Sequence, residues 1–126
     1  LTKFKYFTLE EFACPCCGEN NIDPHLVRIL DRVRGGVLRP FKINSGYRCE
    51  KHNKKVGGSP TSSHLKGLAA DIHCPDTSFR YAVLDNIAYF TELRTFEPSI
   101  ERIGLAKTFI HVDVDQDKIQ GVIWVY

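Results

Sequence analysis

No stretch of this 126-residue chain approaches the ~18 consecutive apolar residues of a membrane helix, so no membrane span is expected. Charge of one sign is lacking too. The chain carries 17 Lys and Arg against 15 Asp and Glu, a net charge of +2, and that is too little for a nucleic-acid footprint by charge alone. There is no internal repeat, no low-complexity tract and no linker-like segment, so a single domain over residues 1–126 is expected. A chain of this length buries roughly two-thirds of its unfolded surface and needs neither disulfides nor a partner to form a core. A monomer is therefore expected. With 43% hydrophobic and 25% charged residues, wholesale disorder is excluded. The chain starts at Leu1, and the following Thr2 to Tyr6 segment lacks the apolar core of a signal peptide. We expect a trimmed N-terminus; removal of a leader leaves the compartment open.

Five cysteines are present: Cys14, Cys16, Cys17, Cys49 and Cys74. An odd number cannot all pair within one chain. Cys14-x-x-Cys17 and Cys49-x-x-His52 share an interval and suit a second, structural metal knuckle; one or two disulfides, or free buried thiols, suit the same residues.

Helix signals dominate the first part of the chain. Thr8 with Glu11 forms a capping-box pattern over one short turn. Asp23-Pro24 starts a longer helix with Leu26, Ile29, Leu30 and Val33 on its apolar stripe, and Gly35-Gly36 is expected to end it. Phe41-Lys42-Ile43 alternates as a short strand, broken by Asn44-Ser45-Gly46. Residues 50–55 suit a short polar helix, 57–61 a loop, and 68–72 a strand. Asp76 caps a long helix with Phe79, Val83, Leu84, Ile87 and Phe90 on one stripe. Three short strands follow at 100–103, 109–114 and 122–126, separated by Gly104 and the 115–118 turn, and such spacing favours antiparallel pairing. The expected fold is α+β, a small mostly antiparallel sheet packed with helices.

Two segments carry chemistry. Asp71 lies inside an apolar strand, where an ionised carboxylate is costly unless paired or metal-bound. His111 also lies inside an apolar strand, two residues before Asp113. Residues two apart share a strand face, so Ala69, Asp71 and His73 line one face and His111 and Asp113 another. If the strands are neighbours, imidazoles and carboxylates converge. Two histidines and one carboxylate with an open fourth position make a catalytic zinc set; a polar pair on a solvated face is the plainer reading of His111 and Asp113.

Ser62-x-His64-x-x-Gly67-x-Ala69-x-Asp71 resembles the S-x-H-x-x-G-x-A-x-D motif of the zinc D-Ala-D-Ala carboxypeptidase family, which includes dipeptidases, phage endolysins and murein endopeptidases. Ser45-Gly46-Tyr47-Arg48, Asn53-x-x-Val56-Gly57-Gly58 and His111-Val112-Asp113 resemble its other motifs, and residues 12–17 the start of a small single-domain branch. The resemblance implies a fold shared with hedgehog signalling domains, with zinc as cofactor on His64, Asp71 and His111. It further implies Arg48 at the scissile carbonyl or oxyanion, and Ser62 on substrate or capping the turn before His64. Many family members carry Glu or Asp as general base three residues before the third ligand, where this chain has Thr108. Asp113 is then the remaining candidate, either as base or as a support for an imidazole, with Glu101 and His73 further choices.

The implied function is a zinc metallopeptidase cleaving peptidoglycan stem peptides, of the D-Ala-D-Ala carboxypeptidase or murein endopeptidase (endolysin) type. It would act at the cell wall, as a phage or prophage lysin or a secreted or periplasmic enzyme. A non-catalytic zinc-binding domain of the same fold is the alternative. A nucleic-acid-binding knuckle suffers from the near-neutral charge.

Overall fold

A computed structural model describes residues 3–126; Leu1 and Thr2, where trimming is expected, lie outside them. Thr8 and Glu11 form the capping box, which opens a 3₁₀ turn over Leu9–Phe12. Helix α1 spans Pro24–Val37. Its first turn is held by the Asp23 carboxylate, which accepts from the His25 N–H, and Pro24 fills a position where no backbone donor is needed. Gly35 and Gly36 do not end the helix. It runs on to Val37 and stops at Leu38, in the left-handed region at φ 61°. Gly36 answers to packing instead, since a Cβ there would stand 1.9 Å from the Asn86 side chain of the helix across from it.

Strand β1 is Ile43–Ser45, so Asn44 and Ser45 belong to the strand expected to end before them. Helix α2 (Glu50–Lys55), a second 3₁₀ turn (Ser63–Lys66), strand β2 (Ala69–His73) and helix α3 (Thr77–Glu92) follow. Asp76 caps α3 by accepting from the Phe79 N–H at 2.8 Å. Phe79, Val83, Ile87 and Phe90 are buried as their spacing implies, while Leu84 is half-buried. Strands β3 (Arg102–Leu105), β4 (Phe109–Asp113) and β5 (Val122–Val125) complete a five-stranded sheet of order β1-β2-β4-β3-β5.

The β1–β2, β2–β4 and β4–β3 pairs are antiparallel, whereas β5 runs parallel to β3. The expected antiparallel return of β5 fails for a topological reason. Both edges of β4 are taken, by β2 and β3. The chain leaving Asp113 is already at the end where β3 begins, so the free edge of β3 receives β5 in the same direction. Gly104 lies within β3 rather than ending it, and the Trp124 ring occupies the space its Cβ would need.

One sheet face presents Ala70, Ile72, Ile103, Ile110 and Val112 to the helices. The fully buried Ile72, Ile110 and Val112 each stabilise the fold by about 1.5–3 kcal/mol relative to exposure. A one-residue slip in β2 or β4 would exchange these side chains for Asp71 and His111. Core burial therefore assigns the polar residues to the opposite face.

Candidate metal centre

His64 sits in the 3₁₀ turn that Ser62 caps, the Ser62 Oγ accepting from the His64 N–H at 3.2 Å. Gly67 ends the turn at φ +71°, and a Cβ there would meet the Asn21 carbonyl oxygen at 1.8 Å. The Gly67 carbonyl accepts from the Asp23 N–H at 2.8 Å, which ties the turn to the start of α1. The His64 Nδ1 is 2.7 Å from the Gly46 carbonyl oxygen. A carbonyl can only accept, so Nδ1 donates there and Nε2 is the nitrogen left to face a metal. That Nε2 faces Asp71 Oδ1 at 3.4 Å.

Asp71 and His111 are register partners across β2 and β4, with His111 Nδ1 3.0 Å from Asp71 Oδ1. The other ring nitrogen, Nε2, lies 2.8 Å from Asp113 Oδ2. One donor atom from each of His64, Asp71 and His111 lies within 4.8 Å of the other two, and all three residues are buried. Each ring thus turns one nitrogen inward and anchors the other on an oxygen, the usual arrangement around a metal-binding imidazole. The donor set of two imidazoles and one carboxylate fits zinc with a position left open.

Burial pushes the Asp71 carboxyl up. Hydrogen bonds to His111 and His64, with their positive charge, outweigh it and hold Asp71 well below the usual carboxylate range. Burial pushes the His111 imidazole down, but the Asp113 and Asp71 carboxylates win and raise it.

Arg48 reaches the site from the segment before α2. Its Nε donates to Ser45 Oγ at 2.9 Å and its terminal nitrogens to Asn53 Oδ1 at 3.2 Å and Asp71 Oδ2 at 3.4 Å. Asp113 is almost wholly enclosed, its side chain 1% exposed. Its Oδ1 accepts from Arg102 Nε at 2.8 Å and from the Asp115 N–H at 3.1 Å. Arg48, Ser62, His64, Asp71, His111 and Asp113 all border one cavity of about 400 Å³.

Thr108 and His73 are exposed and lie off this cavity. Glu101 borders a different, apolar hollow beside α3. Sequence reasoning missed Arg102, Lys118, Trp124 and Tyr126, which complete the cavity wall. Arg102 carried a usable signal, a charge beside the apolar Ile103 in a strand. The Trp124 ring lies 5.4 Å from that of His111 and 5.1 Å from the Arg102 guanidinium.

An enclosed pair of imidazoles and a carboxylate, opening to a cavity beside a fixed guanidinium, defines the site class as a metallopeptidase-like centre. The chain belongs to the peptidase M15 family, the zinc D-Ala-D-Ala carboxypeptidases, whose model matches residues 5–113. The match thus spans every motif residue and ends at Asp113, before β5. Comparison with curated proteins gives no match.

Proposed function

We propose that this protein is a zinc-dependent peptidase that cleaves peptidoglycan stem peptides at the cell wall, as a D-Ala-D-Ala carboxypeptidase or a murein endopeptidase of endolysin type. The observation that carries the reading is the convergence of His64, Asp71 and His111, each held by a further hydrogen bond, beside Arg48 in one cavity. His64 through Nε2, His111 through Nδ1 and a carboxylate oxygen of Asp71 would hold the ion. When bound, zinc supplies Lewis acidity toward the scissile carbonyl and a water that ionises near neutral pH.

The remaining work falls to the chain. The Gly46 carbonyl holds the proton of His64 at Nδ1, and Asp113 holds that of His111 at Nε2. Arg48, fixed by Ser45 and Asn53, offers a positive charge to the carbonyl oxygen as it becomes negative. Ser62 borders the substrate space while capping the turn of His64. Asp113 acts in this reading as a positioning residue. To serve as general base it would have to release His111 or Arg102, and among the described residues the only other carboxylate bordering the cavity is Asp71.

Digestion of purified sacculi and synthetic stem peptides, with and without a chelator, tests the proposal. Chelator-sensitive release of new amino groups is expected, and mass spectrometry identifies the bond. One observation favours the alternative of a non-catalytic zinc-binding domain: the residue at the family's acid position, Thr108, is exposed and off the cavity. Zinc binding without hydrolysis of any stem peptide would establish that alternative.

A further inference from the structure

Away from the cavity, the thiols of Cys14, Cys17 and Cys49 lie within 4.8 Å of one another, and none of them borders the candidate metal centre. Cys14-Pro15-Cys16-Cys17-Gly18 folds into a tight knuckle. The Cys14 N–H donates to the Glu19 carbonyl at 2.8 Å, the Gly18 N–H donates back to the Cys14 carbonyl at 2.9 Å, and Gly18 takes φ +76°. This turn brings Cys17 alongside Cys14. Cys49 arrives from the cap position of α2.

The separation of the sulfurs is informative. Cys14 Sγ and Cys49 Sγ are 3.7 Å apart. Tetrahedral zinc with Zn–S bonds of ~2.3 Å places its sulfurs about 3.8 Å apart. Backbone donors also point at the sulfurs, from Cys49 N–H to Cys14 Sγ at 3.5 Å and from His52 N–H to Cys49 Sγ at 3.4 Å. We infer that Cys14, Cys17 and Cys49 bind a second zinc ion in a closed structural site, with Cys16 or His52 filling the fourth position.

The electrostatics agree. Although burial opposes ionisation, backbone N–H groups of Cys49, Cys16 and Cys17 bring the Cys14 thiol down to about 7. Cys17 accepts a backbone hydrogen bond from Glu19, yet burial and the neighbouring Cys14 and Cys49 push it up to about 11. Sulfurs this close cannot all ionise without a cation among them. The Cys16 thiol interacts with that of Cys49, and His52 follows Cys49 by three residues on α2. Each ligating thiol gives its proton to solvent as the metal binds.

The site would clamp the N-terminal knuckle to the segment that carries Arg48. That segment also bears the Gly46 carbonyl on which His64 rests, and its Tyr47 N–H donates to the Phe12 carbonyl at 2.8 Å.

The test is metal content of the full chain, purified under reducing conditions without chelator, by elemental analysis and native mass spectrometry. Two zinc equivalents are expected. The double variant His64→Ala/His111→Ala, with its cysteines intact, should keep one. Its cobalt(II) form should show thiolate-to-metal charge-transfer absorption, which a His/Asp site cannot produce. Cys14→Ser/Cys17→Ser should lose that band and one zinc. The double variant Cys16→Ser/His52→Ala should hold this zinc at least about 10-fold more weakly, and unchanged affinity there would overturn the closed site. A folded His64→Ala/His111→Ala protein that holds no zinc and shows no thiolate band overturns the inference, as does a Cys14–Cys49 disulfide in its place. Those outcomes concern the cysteines alone and leave the peptidase reading standing.

Discussion

Arg102 and Asp113 face each other across the β3–β4 ladder, and the guanidinium Nε donates to the carboxylate at 2.8 Å. The same carboxylate holds His111 through its other oxygen. If Asp113 positions the ring, Asp113→Asn should weaken zinc binding by about 10–100-fold, and excess zinc should restore turnover. A loss of about 100-fold that persists at saturating zinc would reinstate Asp113 as base. One titration of activity against zinc distinguishes the two.

Arg48 touches both the candidate ligand Asp71 and the open cavity. Arg48→Gln should retain zinc and lower kcat by about 100-fold or more, the scale of removing one donor to a developing oxyanion. Steady-state kinetics on a stem peptide, with metal analysis of the same sample, check this.

The raised pKa of His111 fixes the sign of a pH effect. A proton held more tightly in the folded state stabilises the metal-free fold below about pH 6.5, and that gain is lost as pH rises through the raised value. Zinc must displace that proton. Its affinity should therefore climb with pH through this window and level off above it. Competition against a chelator at a series of pH values measures the slope.

Asp76 supplies a second pH dependence, remote from any metal. Hydrogen bonds from the exposed Arg39 and from the Phe79 N–H hold its carboxyl well below the usual carboxylate range. A depressed pKa stabilises the fold above the ordinary value of about 3.9 and ceases to do so as pH falls through the depressed one. Asp76→Asn keeps an acceptor for the cap but should flatten stability against pH below about pH 4. Urea denaturation across the acid range provides the comparison.

Gly67→Ala should be severe. It combines a left-handed backbone with a Cβ 1.8 Å from the Asn21 carbonyl oxygen, for a cost of about 3 kcal/mol. Urea unfolding should show the loss even in chelator-treated protein, because the clash is independent of the ligands.

Local signals made much of the fold legible. The caps at Thr8, Asp23 and Asp76 and the stripes of α1 and α3 depend on residues a few positions apart, and the structure has them. The shared face of His111 and Asp113 followed from strand periodicity, and the resemblance to the family's motifs brought out Ser62, His64, Asp71 and Arg48. What could not be read depended on distant chain. The Asn86 side chain fills the space beside Gly36, which no local pattern reveals. The parallel course of β5 follows from β4 having no free edge, a property of the assembled sheet. Arg102 and Trp124 join the cavity only through that assembly.

The ladder between β2 and β4 also decides which length changes this protein can accept. Side chains alternate across it, so one residue added or removed within Ala69–His73 or Phe109–Asp113 would turn the polar face inward and the isoleucines outward. The 57–61 and 115–121 segments lie outside the ladder, and Gly57, Gly58, Ser59 and Lys118 within them border the cavity. Insertions and deletions are thereby channelled to the rim. Variation in chain length can reshape what approaches the centre while its donor atoms stay where they are.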